Sequence, residues 1–565
     1  MSGEDKVENT SVMEALRKAR DKYAIPQELS ASEIKTFADL FAHAREKFGN
    51  NPAYTCHDKT LSFDEVDRLS SQLAQAVQQK EFLQPGDRIA IHLPNLLQYP
   101  VTAMAILKAG MTLVNVNPLY TDRELENLLK DSGAKMIFTF NCLCAELNQI
   151  VKNTDVQEVV ITEFADLHDT PKRLLINFVI KHIKRTVPKL NWPSSVAFRS
   201  FLSSGRPQEF VAHPSKPEDI AVLQYTGGTT GAAKGVMLTH ANLIGNMHQV
   251  SQVYDHANWE TGCMRMMVPL PMYHIYAFDL SFCHGMSRGH ESHLITNPRD
   301  LDAFIKEMKA YPFDGFIGLN TLFNGLLNKP EFCEMDFSRL RLCLSGGMAL
   351  TRSIAERWES ATGVGICEGY GLTESSGILC VNIPGHTRIG TVGVAFPETD
   401  IRLIGDENTI CGLDERGELC FRGPNAMQGY WNRPDATAEV IDDEGWVHTG
   451  DIAVMDEQGS LSIVDRKKDM IIVSGFNVYP NEIEDVVIAH PDVIECAVVA
   501  GKSDEGEYVK LFVVASRADL TEEELCTYCR EKLTAYKVPK EVVFRDELPK
   551  SNVGKILRKE LRDEG

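Results

Sequence analysis

No apolar run in this chain approaches the roughly 18 residues that a membrane-spanning helix requires, so no spanning segment is expected. Positive charge is also scarce: 58 Lys and Arg stand against 79 Asp and Glu, a formal net charge of −21. A molecule this acidic is repelled as a whole by nucleic acid and by anionic lipid. Nucleic acid is therefore not an expected partner, and attraction to lipid has to be local. The opening MSGEDKVENTSVMEALRKARDKY has no apolar core behind a basic start. It predicts a polar helix and no secretory signal. Metal-binding cysteine pattern is missing too. Of 14 cysteines only Cys142 with Cys144, and Cys526 with Cys529, stand close together. The second pair has redox or zinc spacing, but no second pair or histidine cluster accompanies it. In TEEELCTYCREKL two positions three apart share one helix face, which predicts reduced thiols in a cytosolic protein. Internal repeats and low-complexity tracts are absent.

What is present divides the 565 residues into three textures. DRIAIHLPN, MTLVNVNP, AKMIFTF and VQEVVITE predict short buried strands; TFADLFAHAREKF and FDEVDRLSSQLAQAVQQK predict helices. Strands alternating with helices imply parallel α/β sheets. From about 400 onward, TDIRLIGDE, GELCFRG and WVHTGDIAVMDEQGSLSIVD are short strands broken by turns, as in a small barrel or an antiparallel sheet. After SIVDRKKD a compact α+β unit of roughly 100 residues is expected. The fold class is α/β and α+β multidomain: two α/β lobes plus a β-rich subdomain over 1–465, then a small α+β domain over 466–565.

The densest motif is YTGGTTGAAKG, residues 225–235. It is expected to lie between a strand, IAVLQY, and a helix, HANLIGNMHQVSQVY. A glycine-rich turn in that position turns backbone N–H groups toward an anion. Thr226, Thr229 and Thr230 add hydroxyls, Lys234 adds a cation, and Gly227, Gly228 and Gly231 permit close approach. A P-loop requires Gly-Lys-Ser/Thr. Lys234 stands between Ala233 and Gly235, so that pattern fails while a nucleotide-phosphate reading survives.

This loop resembles the phosphate loop of the adenylate-forming enzymes. PLPMYHIYAF (269–278), LSGGMAL (344–350), EGYGLTESS (368–376), GELCFRGPNAMQGYW (417–431), WVHTGDIAVMDEQGSLSIVDRKKDMIIVSGFNVYPNEIE (446–484) and LPKSNVGKILRKEL (548–561) follow in the same order. The resemblance runs from about residue 35 to the end and is closest to bacterial long-chain fatty-acid–CoA ligases. It implies ATP-dependent activation of a long-chain fatty acid through acyl-AMP, with CoA as second co-substrate, AMP and pyrophosphate released, and Mg²⁺ on the phosphates.

The resemblance also implies roles. Glu374, with Thr229, would hold Mg²⁺; Thr373 and the 226–230 threonines would contact phosphate. Gly346, Gly347, Glu368, Gly369, Tyr370 and Gly371 would form the nucleotide pocket, with Tyr370 the adenine platform. Asp451 would bind the ribose and Arg466 would partner it. Lys555 would bridge carboxylate and α-phosphate, and His274 would stand near the acyl carboxylate. Lys468 would be the hinge of a mobile C-terminal domain, and Gly475 would let the thiol arm of CoA pass. Lys555→Ala is then expected to block acyl-AMP formation while sparing thioester formation, and Gly475→Leu to do the reverse. Other readings stay open: a medium-chain or aryl CoA ligase, or a catalytically silent acyl or adenylate sensor. A homodimer is a further expectation.

Two stretches bear on the acid. FDGFIGLNTLFNGLLNKPEF is apolar enough to line an acyl tunnel, although a helical core has the same pattern. Glu444 departs from the fatty-acyl signature, which has asparagine before Gly-Trp. KRLLINFVIKHIKRTVPKLNW (172–192) reverses the acidic trend, with six basic residues and no acid. It reads either as a basic amphipathic helix on the cytoplasmic face of the inner membrane or as a helix packed on the sheet with solvated lysines.

Overall fold

The computed structural model describes residues 3–143, 147, 149–188, 195–226, 233–255, 264–473, 476–503, 506–550 and 555–564. Two large sheets organise the first part of the chain. The eight-stranded sheet runs in the order 429–430, 234–239, 220–226, 112–115, 88–92, 136–140, 158–162, 195–197. Its six strands from 220–226 outward are parallel. All four strands expected from the first texture lie in it. The nine-stranded sheet runs in the order 394–395, 380–381, 366–370, 342–345, 315–318, 265–268, 291–294, 52–56, 59–62. Its inner strands are also parallel. Parallel strands are buried on both faces. Leu342–Ser345, Gly315–Gly318 and Thr112–Asn115 accordingly have no exposed position.

Helices start where capping chemistry places them. Thr36 and Ser62 each close a capping box with the carboxylate three residues on, and the helices Phe37–Phe48 and Phe63–Gln78 follow. Such a cap contributes about 1 kcal/mol.

The second texture resolves as an antiparallel sheet in linear order 400–404, 417–422, 447–455, 461–466. The first helix, Gly3–Lys22, is more than a polar helix. Val12, Ala15, Leu16 and Ala19 pack on this sheet. Arg20 reaches the carbonyls of Ala395, Phe396 and Thr399 from a buried position. The C-terminal unit has helices Pro480–Ile488 and Glu522–Arg530 on a sheet of 493–503, 506–515 and 541–544. Cys526 and Cys529 are buried on one face of the second helix, inside that core.

One expected connection is different. The strand Ile220–Thr226 is not followed directly by the helix. A further strand, Lys234–Thr239, pairs antiparallel with it, Thr226 opposite Lys234. The helix His240–Asp255 begins only after that. The glycine-rich stretch thus joins the two strands of a hairpin. KGVMLT is a short apolar run bounded by glycine, and periodicity alone does not separate such a run from loop or helix.

Candidate active site

Both large sheets, the four-stranded sheet and the C-terminal unit converge on one cleft of 2120 Å³. Its walls carry Thr226, Lys234, His274, Gly346, Gly347, Glu368, Gly369, Tyr370, Gly371, Thr373, Glu374, Asp451, Arg466, Lys468 and Lys555. Those expected site residues come together from segments more than 300 positions apart in the sequence. Gly227, Gly228, Thr229, Thr230, Gly231 and Gly475 lie outside the described residues.

The strand Ile366–Tyr370 delivers Tyr370 to the cleft, and the turn Thr373–Ser375 delivers Glu374. The Tyr370 hydroxyl donates to Asp451 Oδ2 at 2.6 Å. Arg466 Nε stands 3.4 Å from Asp451 Oδ1. These two are register partners across neighbouring antiparallel strands, so backbone pairing alone fixes their separation. Asp451 is therefore held on both oxygens, one by a phenol and one by a guanidinium.

Lys555 comes from the far end of the chain. Its Cε lies 3.7 Å from where a Cβ on Gly347 would stand, and Gly347 has φ +79°, a conformation suited to glycine. Gly346 beside it leaves 3.2 Å between such a Cβ and the Tyr276 ring, so any side chain would crowd the tyrosine. Burial, reinforced by the Arg466 cation and opposed by Asp451, lowers the Lys555 ammonium to about 8. His274 caps the short turn Ile275–Ala277, its Nδ1 accepting from the Tyr276 N–H at 3.3 Å. Burial first, then the Lys555 cation, lowers the imidazole to about 4, so His274 is neutral at pH 7. Glu368 accepts from the Leu350 N–H at 2.9 Å, and burial pushes its carboxyl up to about 8.

Glu374 faces the hairpin. Tyr430 donates its hydroxyl to Glu374 Oε1 at 2.7 Å, and the Lys234 ammonium sits 4.8 Å from the centre of the Tyr430 ring. The tyrosine fixes one carboxylate oxygen and leaves the other for a ligand. The Glu374 carboxylate and the hydroxyls of Thr226 and Thr373 are oxygen donors of the kind Mg²⁺ takes alongside substrate phosphates. Among the described residues no group of three or more His, Cys, Asp or Glu could hold a metal by itself.

Sequence reading missed two residues. Tyr430 stands in QGYW, inside a matching motif but without an assigned role. Arg558 follows Lys555 by three positions and locks the chain's end in place. Its Nη2 meets Glu484 Oε2 at 2.6 Å and Asn481 Oδ1 at 2.5 Å, and its Nη1 meets Asp465 at 3.3 Å. Asn481 also donates to the Val464 carbonyl at 3.1 Å. The 558–563 helix, the 480–488 helix and the end of the 461–466 strand are thereby one latch beneath Lys555. Of the two readings of 313–332, tunnel lining or helical core, the packing favours the core. Phe316, Phe323 and Phe332 surround buried Trp358, their ring centres 4.6 to 5.5 Å from it. The residues of this stretch that reach the cleft are polar: Asn320, Thr321, Asn324 and Asn328. Glu444, the departure from the signature, bonds Arg402 at 3.3 Å, and Arg402 stacks over Trp446 at 4.4 Å. It has a structural partner away from the cleft lining.

Known proteins match this arrangement at three levels. Residues 41–431 match the AMP-binding enzyme family, and residues 482–555 match the AMP-binding enzyme C-terminal domain. A long-chain-fatty-acid–CoA ligase of Escherichia coli O157:H7 is 49% identical over 544 residues, covering 96% of each chain. One of Bacillus subtilis (strain 168) is 37% identical over 96% of each. A 4-coumarate–CoA ligase of Pinus taeda is 30% identical, over 89% of this chain and 90% of its own. Among solved structures, ATP-bound MatB from Rhodopseudomonas palustris aligns with TM-score 0.80 at 25% identity, over 93% of this chain and 98% of that one. The anthranilate CoA ligase AuaEII in complex with anthranoyl-AMP aligns with TM-score 0.82 at 24% identity, over 97% and 98%, a likeness of fold. On matches that cover both the large region and the C-terminal unit, this chain belongs to the AMP-binding enzyme family.

Proposed function

We propose that this protein is an AMP-forming long-chain fatty-acid–CoA ligase, with ATP and CoA as co-substrates. The observation that carries the reading is the position of Lys555. A lysine just ahead of the chain's last helix, 558–563, stands in the cleft over Gly347, within the electrostatic reach of Arg466, Asp451 and His274. Identity near 49% to long-chain-fatty-acid–CoA ligases over nearly the whole chain supports the substrate class.

In the first step a carboxylate oxygen of the fatty acid attacks the α-phosphorus of ATP. The bond to the bridging oxygen of the β-phosphate breaks, and pyrophosphate leaves with that electron pair. Two anions must approach each other, so cations in a water-poor cleft lower the barrier most. Lys555 supplies one, aimed at carboxylate and α-phosphate together, and Lys234 supplies another at the hairpin. Asp451, pinned by Tyr370 and Arg466, accepts hydrogen bonds from ribose hydroxyls. Neutral His274 lines the acyl end without adding a charge that would trap the carboxylate. Glu374 with Thr226 would hold Mg²⁺, which clamps phosphate oxygens when bound. In the second step the thiolate sulfur of CoA attacks the acyl carbonyl carbon, and AMP departs as the acyl C–O bond breaks. We assign the 466–469 turn, with Lys468 in it, as the pivot on which the C-terminal unit withdraws Lys555 for this step.

Product analysis with ATP, Mg²⁺, CoA and a graded series of fatty acids tests the reading. AMP, pyrophosphate and acyl-CoA, formed fastest with long chains, are expected. ADP would assign a different enzyme class, preference for aryl acids would move the substrate, and binding of acyl-AMP without turnover would make the protein a sensor.

A further inference from the structure

The strands Gly417–Arg422 and Val447–Met455 pair antiparallel, but their register slips at one point. Glu418 faces Ile452 and Cys420 faces His448, so Leu419 alone stands opposite Thr449, Gly450 and Asp451. The surplus residues make a bulge, a device that re-aims a side chain out of the ordinary alternation of a strand. This bulge lies in the cleft wall, and Asp451 is its last residue. Gly450 in the middle of it has φ +71°, left-handed backbone that favours glycine. Thr449 donates its hydroxyl to the Leu419 carbonyl at 2.7 Å, and the Asp451 N–H donates to that hydroxyl oxygen at 3.1 Å. The Gly450 N–H donates to a side chain on the neighbouring strand: it meets Glu418 Oε1 at 3.1 Å.

The other oxygen of the same carboxylate holds the opposite side of the clamp. Glu418 Oε2 meets the Lys467 ammonium at 2.9 Å. Lys467 directly follows Arg466, the partner of Asp451 across the strands. His448 Nδ1 stands 3.7 Å from that oxygen as well. Glu418 is only 7% exposed, and a carboxylate buried that far holds its charge only where hydrogen bonds and a cation meet it. Thr449, Gly450, Asp451, Arg466 and Lys467 all line the cleft, with Glu418 behind them. One buried carboxylate thus grips the residue before Asp451 and the residue after Arg466. We propose that Glu418 is a positioning residue that aims Asp451 at the nucleotide ribose, so that selection for the 2′-hydroxyl depends on a side chain behind the cleft wall. The inference rests on the ribose role of Asp451 given above and deepens it.

Calorimetric titration of the full chain with AMP and with 2′-deoxyAMP tests it, and needs no acid substrate. The wild type should bind AMP about tenfold tighter, the scale of one hydrogen bond to a carboxylate. Asp451→Ala should erase that preference. Glu418→Ala should shrink it to within about threefold, because neither Gly450 nor Lys467 is then held. Glu418→Gln keeps an acceptor for the Gly450 N–H but no charge for Lys467, so its preference should fall between those of the wild type and the alanine variant. Glutamine also keeps the shape of the side chain, so it carries the test even where alanine does not fold. Wild-type preference in both Glu418 variants overturns the proposal. So does an equal loss of affinity for the two nucleotides, which marks a merely structural role. In either case a preference lost in Asp451→Ala leaves the ribose assignment standing. A preference that survives Asp451→Ala, or is missing from the wild type, removes that assignment and this inference with it.

Discussion

Lys555 is the residue on which the chemistry turns. Truncating it to alanine should lower acid-dependent formation of acyl-AMP by about a hundredfold or more, the scale of losing one transition-state charge contact. Thioester formation from supplied acyl-AMP should change little, because that step does not use the ammonium. Separate assays of the two half-reactions make the comparison. The pH dependence follows from the same residue. Its proton is held below about 8 and lost above it, so adenylation in the free enzyme should decline as pH rises through that value. A profile of kcat/KM for ATP reads the free enzyme, and Lys555→Arg, charged throughout, should abolish the alkaline limb. At Tyr430 the effect is milder. Tyr430→Phe removes the hydroxyl that fixes Glu374, a hydrogen bond to a charged group that contributes about 1.5–3 kcal/mol. The Mg²⁺ concentration for half-maximal rate should rise roughly tenfold while the substrate preference stays the same.

Among the elements, the latch around Arg558 and the π-helix Phe278–His284 carry the sharpest consequences. Arg558 joins three elements through Asp465, Asn481 and Glu484. Arg558→Ala leaves two carboxylates without their cation, a loss of about 3–5 kcal/mol at a buried pair. The tail that presents Lys555 should detach, so the first half-reaction should fall at least tenfold and the second far less. On the π-helix, Asp279 is fully buried and neither oxygen has a hydrogen-bond partner among the described residues. Burial raises its carboxyl well above the usual range. An acid whose folded pKa is raised gives up stability as pH climbs from its unfolded value, near 4, toward its folded one. Asp279→Asn should remove that loss. Melting curves at pH 5 and pH 8 should show the wild type losing more Tm than the variant, and an equal loss in both would contradict the account.

At the scale of the whole molecule, the sequence disclosed what is local. Apolar runs located five of the eight strands of the eight-stranded sheet, and Asp451 in HTGD and Arg466 in SIVDR were legible through the family resemblance that those motifs carry. What escaped depends on contacts between distant residues. Tyr430 acts on a glutamate 56 positions away, and Arg558 on a helix 74 positions away. The strand Lys234–Thr239 was missed because its apolar run has no alternation that sets it apart from loop or helix. The stretch 313–332 read equally as tunnel lining or helical core, because composition does not say on which side of an element Trp358 gathers Phe316 and Phe323. The first helix was called polar for a similar reason: its four small and aliphatic contacts are a narrow stripe that only the neighbouring sheet makes meaningful.

The central claim is that a fatty acid is activated as its adenylate before CoA takes part. The direct measurement is exchange of labelled pyrophosphate into ATP, with a graded series of fatty acids and no CoA. The account predicts exchange that requires the acid, rises with chain length into the long-chain range and vanishes in Lys555→Ala. Exchange that needs no acid, or none until CoA is added, would contradict it.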